Sequence, residues 1–447
     1  MMGLNPEFRR NLWVELSPQR LVAMPAILGG VFFLVHLLVP GSSGAAVARV
    51  ALVAYLGLAL LWGARLASEA VLGETREHTW DLQRMSSLGA WSMTWGKLLG
   101  STVYPWYGAL MCLAVYAVAQ GVHPGAAADL LVLLGAGLLA QAVALLASLQ
   151  SMARRAAAGR SAAASYLLLG IFAAVPFLRT GLGRGEMVHW YGAGYPGDDF
   201  ALASLLIFLA WSVVAIYRHL RRELQMRSGP LVWLLFVVFL AAYVAGFVRL
   251  PDVGLAHVAT ARWYVAYIMV LLLAYVMVFA EPKDGVALRR LWHAAAHRAW
   301  VRVWQGLPLW AVTIALVVVF GAVLLTQDVP EFLYRARVFE PRTFVLATFL
   351  FLLRDVGLVL YLNLGARPAR ADAAALLYLA VLYVLLPGIL SALHLHVLAA
   401  AFLPWQAGHG PVLLVAGAVQ MLLAAGLALR RWNRRFGINS TADRTAA

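Results

Sequence analysis

The chain has 447 residues, of which 63% are hydrophobic and only 12% charged; soluble domains run at about 45–50% apolar, so a water-soluble enzyme or binding domain is excluded. The formal net charge of +15 calls for no nucleic acid, because basic loops facing anionic lipid on one side of a membrane produce the same excess. Cys112 is the one cysteine and lies in an apolar run, which excludes an internal disulfide and a cysteine metal site.

Residues 1–20 read as an interfacial amphipathic helix, with Leu12, Trp13, Leu16 and Leu21 apolar against Arg9, Arg10 and Arg20. Twelve apolar runs follow, at 21–40, 46–67, 98–121, 127–150, 161–178, 200–217, 230–248, 262–280, 307–326, 342–364, 373–397 and 410–429. Each approaches the ~20 residues that a spanning helix needs. None shows the ~10-residue alternation of a barrel strand. The predicted fold class is therefore an all-α polytopic membrane protein with about 12 transmembrane helices. The first run is not read as a cleaved leader, because some twenty residues including Glu7 and Glu15 precede it. With the N-terminus inside, 26 of the 35 basic residues fall on the cytoplasmic side and eight outside. The asymmetry predicts cytoplasmic termini, a cytoplasmic 74–97 and an external 179–199. Only Lys97 and Lys283 among the basic residues are lysines, which fits a GC-rich bacterial genome.

Between the second and third runs stands Glu74–Leu99, ETREHTWDLQRMSSLGAWSMTWGKLL. Glu74, Arg76 and Glu77 sit at the mouth of the second helix. Thr79 is placed to cap a short helix over Trp80, Asp81 and Leu82, with Asp81 favourable in its first turn. Ser86–Ser87 interrupts that helix, and Ser87 is placed to cap the next, where Leu88, Trp91 and Trp95 share one face. Gly96–Lys97 marks re-entry, with Lys97 at the cytoplasmic surface. The segment reads as a rigid mixed-charge helix for a partner, or as a loop anchored by three tryptophans. GAWSMTWGKL (89–98) is not a P-loop: six residues separate its glycines, Leu98 follows the lysine, and no strand precedes it. Any ATP would be bound by another chain.

This segment resembles the cytoplasmic coupling helix of ABC-2-type ABC transporter permeases, which run roughly Glu-x-Glu-x-Gly-Thr and close on Gly-Lys-Leu-Leu. His78 stands here where the family has glycine, and the proline after the first short helix is absent. Asn5–Pro6 followed by Arg9–Arg10 is similar to the family's opening. The resemblance covers about half the chain. It implies an ABC-2-like transmembrane domain over 1–228, with the amphipathic helix 1–20, a coupling segment at 70–97 and helices 1–6. It also implies a short re-entrant or interfacial helical hairpin within 179–199. Residues 229–447 read as an additional six-helix domain or a degenerate repeat. The resemblance implies ATPase coupling through Glu74, Arg76, Glu77, Thr79, Trp80, Asp81 and Leu82, no catalytic residue and no cofactor in this chain. ATP and Mg would be held by two copies of a cytoplasmic ABC ATPase, serving a homodimer of this chain in the bacterial inner membrane. The implied activity is export of a lipid, glycolipid, peptide or drug-like substrate. Two other classes stay open: a secondary transporter of six-plus-six design, and a membrane-embedded lipid-modifying enzyme.

Further along, Asp198–Asp199 precede the sixth helix, where carboxylates suit the first turn. Residues 288–310 form a basic, Trp-rich stretch that echoes 8–25, with Leu291, Trp300, Val301, Val303 and Trp304 able to bed in lipid. The loop 365–372, GARPARAD, would then be a shrunken counterpart of the coupling segment. His293 and His297 are spaced i, i+4 as a metal pair would be, but lack a third ligand nearby; His394 and His396 fall on different sides of a helix. Arg354–Asp355 lies about 16 Å from the cytoplasmic end of the tenth helix at 1.5 Å per residue. Adjacent helical residues do not face each other, so each is expected to need its own partner. The pair reads as a substrate-path charge or as structural ion pairs with other helices.

Overall fold

The computed structural model describes residues 5–39, 43–86, 88–121, 125–153, 160–183, 186–226, 228–249, 257–327, 341–365, 370–403 and 410–436. The chain divides into two compact units, 1–188 with 194–228, and 189–193 with 229–447.

The first unit starts with α1 (Pro6–Glu15), capped by the Asn5 side chain, and α2 (Pro18–Leu38), capped by Ser17. The expected single helix over 1–20 is therefore two helices. Pro18 takes the first position of the second, where its missing N–H costs nothing. A continuous helix follows, made of α3 (Ser43–Tyr55), a π-helical segment π1 (Leu56–Trp62) and α4 (Gly63–Arg76). Next come α5 (Trp80–Arg84), α6 (Ala90–Gly100), α7 (Val103–Gln120), α8 (Ala126–Ala153), α9 (Arg160–Gly181) and α10 (Gly197–Glu223). The core is rich in alanine, with Ala51, Ala59, Ala109, Ala136, Ala140 and Ala144 buried beside Tyr55, Cys112 and Leu133. Small residues let helices approach closely where lipid, not water, is the alternative. The wider π turn leaves a carbonyl in need of a donor, and Gln141 supplies it: its Nε2 donates to Ala59 O at 3.0 Å, while its Oε1 accepts from Trp106 Nε1 at 2.8 Å.

Residues 187–196 form a β-hairpin, β1 (Met187–Trp190) and β2 (Ala193–Pro196). Tyr191 and Gly192, both at positive φ (52° and 84°), make its two-residue turn, as a primed hairpin turn requires. The helical hairpin expected within 179–199 is thus replaced by strands. Asp198 and Asp199 occupy the first turn of α10 as expected, although Pro196 is the capping residue.

The second unit holds α11 (Leu231–Ala245), α12 (Val258–Ala280), α13 (Gly285–Ala296), α14 (Trp300–Gly306), α15 (Leu309–Leu325) and α16 (Pro341–Asn363). A second continuous helix with a π-helical segment follows, α17 (Ala371–Ala380), π2 (Val381–Leu385) and α18 (Leu386–Ala392), then α19 (His396–Ala400) and α20 (Gly410–Phe436). Its core centres on Tyr267, Val270, Val317, Leu352 and Val359.

All twelve apolar runs fall on helices. Eight helices among the described residues are long and apolar enough to cross a membrane, and two bent pairs would raise this to ten: α6 with α7 at 54°, and α14 with α15 at 95°. The runs at 161–178 and 230–248 give shorter apolar stretches, Ser165–Gly181 and Leu231–Ala245. The chain is thus a helical protein of multi-pass membrane character.

Candidate functional site

The segment after α4 is built by a helix ending. The Thr79 N–H donates to Glu74 O at 2.9 Å and the His78 N–H to Thr75 O at 3.4 Å. These are the two bonds of a Schellman motif. The motif places its C′ residue in the left-handed region, and His78 is there at φ 58°. Glycine adopts that conformation at no steric cost, whereas the histidine here carries a side chain into it. The five-residue α5 then starts directly. Thr79 does not cap it: its side chain makes no capping bond, and its Oγ1 donates back to Glu74 O at 3.3 Å. The backbone at Thr79 is helical, so its hydroxyl reaches the previous turn instead. Ser87 lies outside the described residues, and Gly89 is the N-cap of α6.

Apart from Thr79, which is half-buried, the residues singled out here divide into two faces. Arg76, Glu77, Asp81 and Leu82 are exposed, as is Met85. Asp81 lies in the first turn of α5 and keeps only a loose 3.5 Å contact with Arg84. Glu74 and Trp80 face inward, where Lys97 meets them. Lys97 is the correction here: it is not at the surface but 1% exposed. Its Nζ donates to Glu74 Oε2 at 2.5 Å and to Gln83 Oε1 at 2.9 Å, and pairs with Glu7 Oε1 at 3.1 Å. Three oxygens thus meet the three N–H donors of an ammonium, and the Trp80 ring lies 5.1 Å from it. Gln83 Nε2 closes the cluster on Glu74 Oε1 at 2.6 Å.

Glu7 comes from α1. Asn5 fixes that helix by accepting from the Glu7 N–H at 3.1 Å and donating to Ser92 O at 2.5 Å. The docking face on α6 is Gly96-x-x-x-Gly100: a Cβ at Gly96 would stand 2.7 Å from Glu7 Cβ, and one at Gly100 would stand 2.5 Å from Asn11 Nδ2. Only glycine lets the two helices come so near. Two carboxylates share one ammonium, so burial outweighs the pull of Lys97 and raises the Glu7 carboxyl above its ordinary pKa. The composition-level reading missed Glu7, Gln83 and the buried role of Lys97. Two signals were present: the G-x-x-x-G spacing, and a rare lysine in an arginine-rich chain.

In the second unit Arg354 and Asp355 are buried, at 3% and 1% exposure. Each has partners of its own on other helices, as expected, but the two also meet each other, which was not expected. Arg354 Nε donates to Asp355 Oδ1 at 2.8 Å, and Nη2 stands 2.7 Å from the same oxygen at an angle that makes it a charge contact only. The guanidinium stem is long enough to curl back to its neighbour, which short side chains cannot do. Arg354 Nη1 also donates to Gln420 Oε1 at 2.7 Å, and Asp355 Oδ2 accepts from Tyr275 at 2.8 Å and from Tyr383 at 2.7 Å. The pair therefore ties α12, α16, π2 and α20 together. A buried ion pair hydrogen-bonded to three other elements favours one register of those helices, with Nη2 held by charge alone.

The remaining candidates are local. His297 Nδ1 lies 2.8 Å from His293 O. Among the described residues no group of three or more His, Cys, Asp or Glu is arranged to hold a metal. Of 365–372, residues 366–369 lie outside the described part. Asp372 pairs with Lys283 at 2.9 Å, and Arg435 Nη1 donates to Leu364 O and Gly365 O. No family model, curated protein or solved structure matches this chain.

Proposed function

We propose that the chain is the membrane-spanning permease subunit of an ATP-driven transporter, with 74–97 as the segment that meets a separate cytoplasmic ATPase. One observation carries this reading. The end of α4 and the short α5 together present Arg76, Glu77, Asp81, Leu82 and Met85 outward, while Glu74, Gln83 and Lys97 brace the turn from beneath. A mixed-charge knob on a braced base suits a partner that must push on it. The chain has no P-loop, so nucleotide chemistry is assigned to the partner, in two copies. Twelve crossings are the count of apolar runs, and the basic asymmetry then sets both termini on the cytoplasmic side. Two copies of this chain would line one path in a bacterial inner membrane and export a lipid, glycolipid, peptide or drug-like molecule, by the family resemblance.

The test is Glu77→Lys and Asp81→Arg in the purified chain with its ATPase. Both residues are exposed, so each change should move stability by less than ~0.5 kcal/mol. Each should leave insertion intact and separate ATP hydrolysis from transport. Normal coupling in both variants would leave the loop as a membrane anchor only.

A further inference from the structure

The segment between α12 and α15 is an elbow of fixed shape. Glu281 Oε2 accepts the N–H of Leu309 at 2.6 Å and of Trp310 at 3.3 Å, which joins the start of the segment to the first turn of α15. Lys283 pairs with Asp372, and Asp284 caps α13 through the Val286 N–H at 2.9 Å. Between α13 and α14 the chain turns through another Schellman motif. Ala299 N donates to Ala294 O at 2.9 Å and Arg298 N to Ala295 O at 3.0 Å, with Arg298 at φ 53°.

The bend between α14 and α15 is 95°. If α15 crosses the bilayer, α14 lies in the plane of its surface. Trp292 (74% exposed), Trp300 (66%), Val301 and Trp304 are presented there. Arg289, Arg290, Arg298 and Arg302 are exposed too, and their side chains make no ion pair or hydrogen bond with any described residue. No Asp or Glu occurs anywhere from 285 to 306. Tryptophan is favoured at the headgroup level, where its apolar ring and N–H are both satisfied. Unopposed arginines beside it match phosphate oxygens, which they can bind through two parallel N–H groups.

We propose that α13–α14 is a binding surface for anionic phospholipid headgroups. The tryptophans sit at the boundary between headgroup and acyl chain, and the four arginines contact phosphates. The proposal rests on α15 crossing the membrane and is independent of any ATPase partner.

The test uses the full chain carrying Cys112→Ser and Trp300→Cys, labelled with an environment-sensitive fluorophore. It is reconstituted in nanodiscs of phosphatidylcholine alone or with phosphatidylglycerol. The label should be shielded from an aqueous quencher with phosphatidylglycerol and accessible without it. Replacing the four arginines by glutamine should abolish that dependence, with about a fivefold loss of headgroup affinity per arginine. A label at Asp81→Cys should stay accessible throughout, as a control for quencher access, and an unchanged thermal unfolding transition reports that each variant is folded. Equal shielding in both lipids would overturn headgroup recognition, and accessibility in both would overturn lipid contact. Shielding that needs an added cytoplasmic protein would overturn the lipid in favour of a protein partner. A label at Val319→Cys that fails to meet lipid would remove the spanning premise itself.

Discussion

The loop after α4 and the elbow after α12 share a backbone device and differ in what they present. Each is a helix closed by a Schellman motif whose left-handed residue is not glycine, His78 in one and Arg298 in the other, followed at once by a short helix. In the loop, acids and arginines are mixed, and the short helix is braced from below by a buried lysine. In the elbow, the arginines of 285–306 stand without acids, tryptophans are exposed and α14 has no buried residue at all. The same turn thus serves a mixed-charge surface on a braced base and a basic, tryptophan-bearing surface without acids. Backbone geometry sets where a surface points, and side-chain charge and burial set what it can meet.

The largest expected difference between the two lies at their lysines. Lys97→Met leaves Glu7 and Glu74 facing each other without a cation. Breaking such a buried pair costs about 3–5 kcal/mol. Lys283→Met leaves Asp372, 37% exposed and still bonded to Asn363, at a cost of about 1–2 kcal/mol. Thermal unfolding of the two variants side by side measures the gap; equal losses would remove the distinction between a braced loop and a lightly clamped elbow.

Glycines come next. Gly96→Val forces a side chain against Glu7 and should cost about 1–3 kcal/mol by overpacking, with α1 released to protease. At the elbow, a Cβ on Gly306 would meet only Leu291 Cδ1 at 3.4 Å, so Gly306→Ala should change the melting temperature little.

The pH dependence is specific to the loop. Glu7 has its pKa raised on folding from 4.5. Its contribution to stability is therefore complete below the ordinary carboxylate range and is lost as pH rises through the raised value. From pH 4.5 upward, the wild-type melting temperature should fall relative to that of Glu7→Gln. Parallel curves for the two proteins would show that Glu7 is not titrating in this site.

The smallest effect is at the turns. His78→Gly and Arg298→Gly each relieve a left-handed side chain and should stabilise by about 1 kcal/mol or less. A loss of stability on His78→Gly would mean that the imidazole makes a contact which outweighs the strain.

Much of this protein was legible in the sequence because it is locally encoded. A run of about twenty apolar residues is helical in a bilayer whatever surrounds it, and among the described residues eight helices are long and apolar enough to cross, or ten if each bent pair is one span. The position of the loop, and the exposure of Arg76, Glu77, Asp81 and Leu82, likewise follow from a break in hydropathy. Tertiary structure decided what depends on convergence from afar. Lys97 is adjacent to a polar segment, and it is buried where α1 arrives across Gly96 and Gly100 and the Glu74–Gln83 turn folds over it. Arg354 and Asp355 point apart on an ideal helix, and only the length of the arginine and the tyrosines of α12 and π2 bring them into one network. The hairpin at 187–196 depended on a Tyr–Gly turn that hydropathy does not register. Local chemistry determines whether a segment leaves water; which buried polar groups then find each other is settled by the packing of helices distant in sequence.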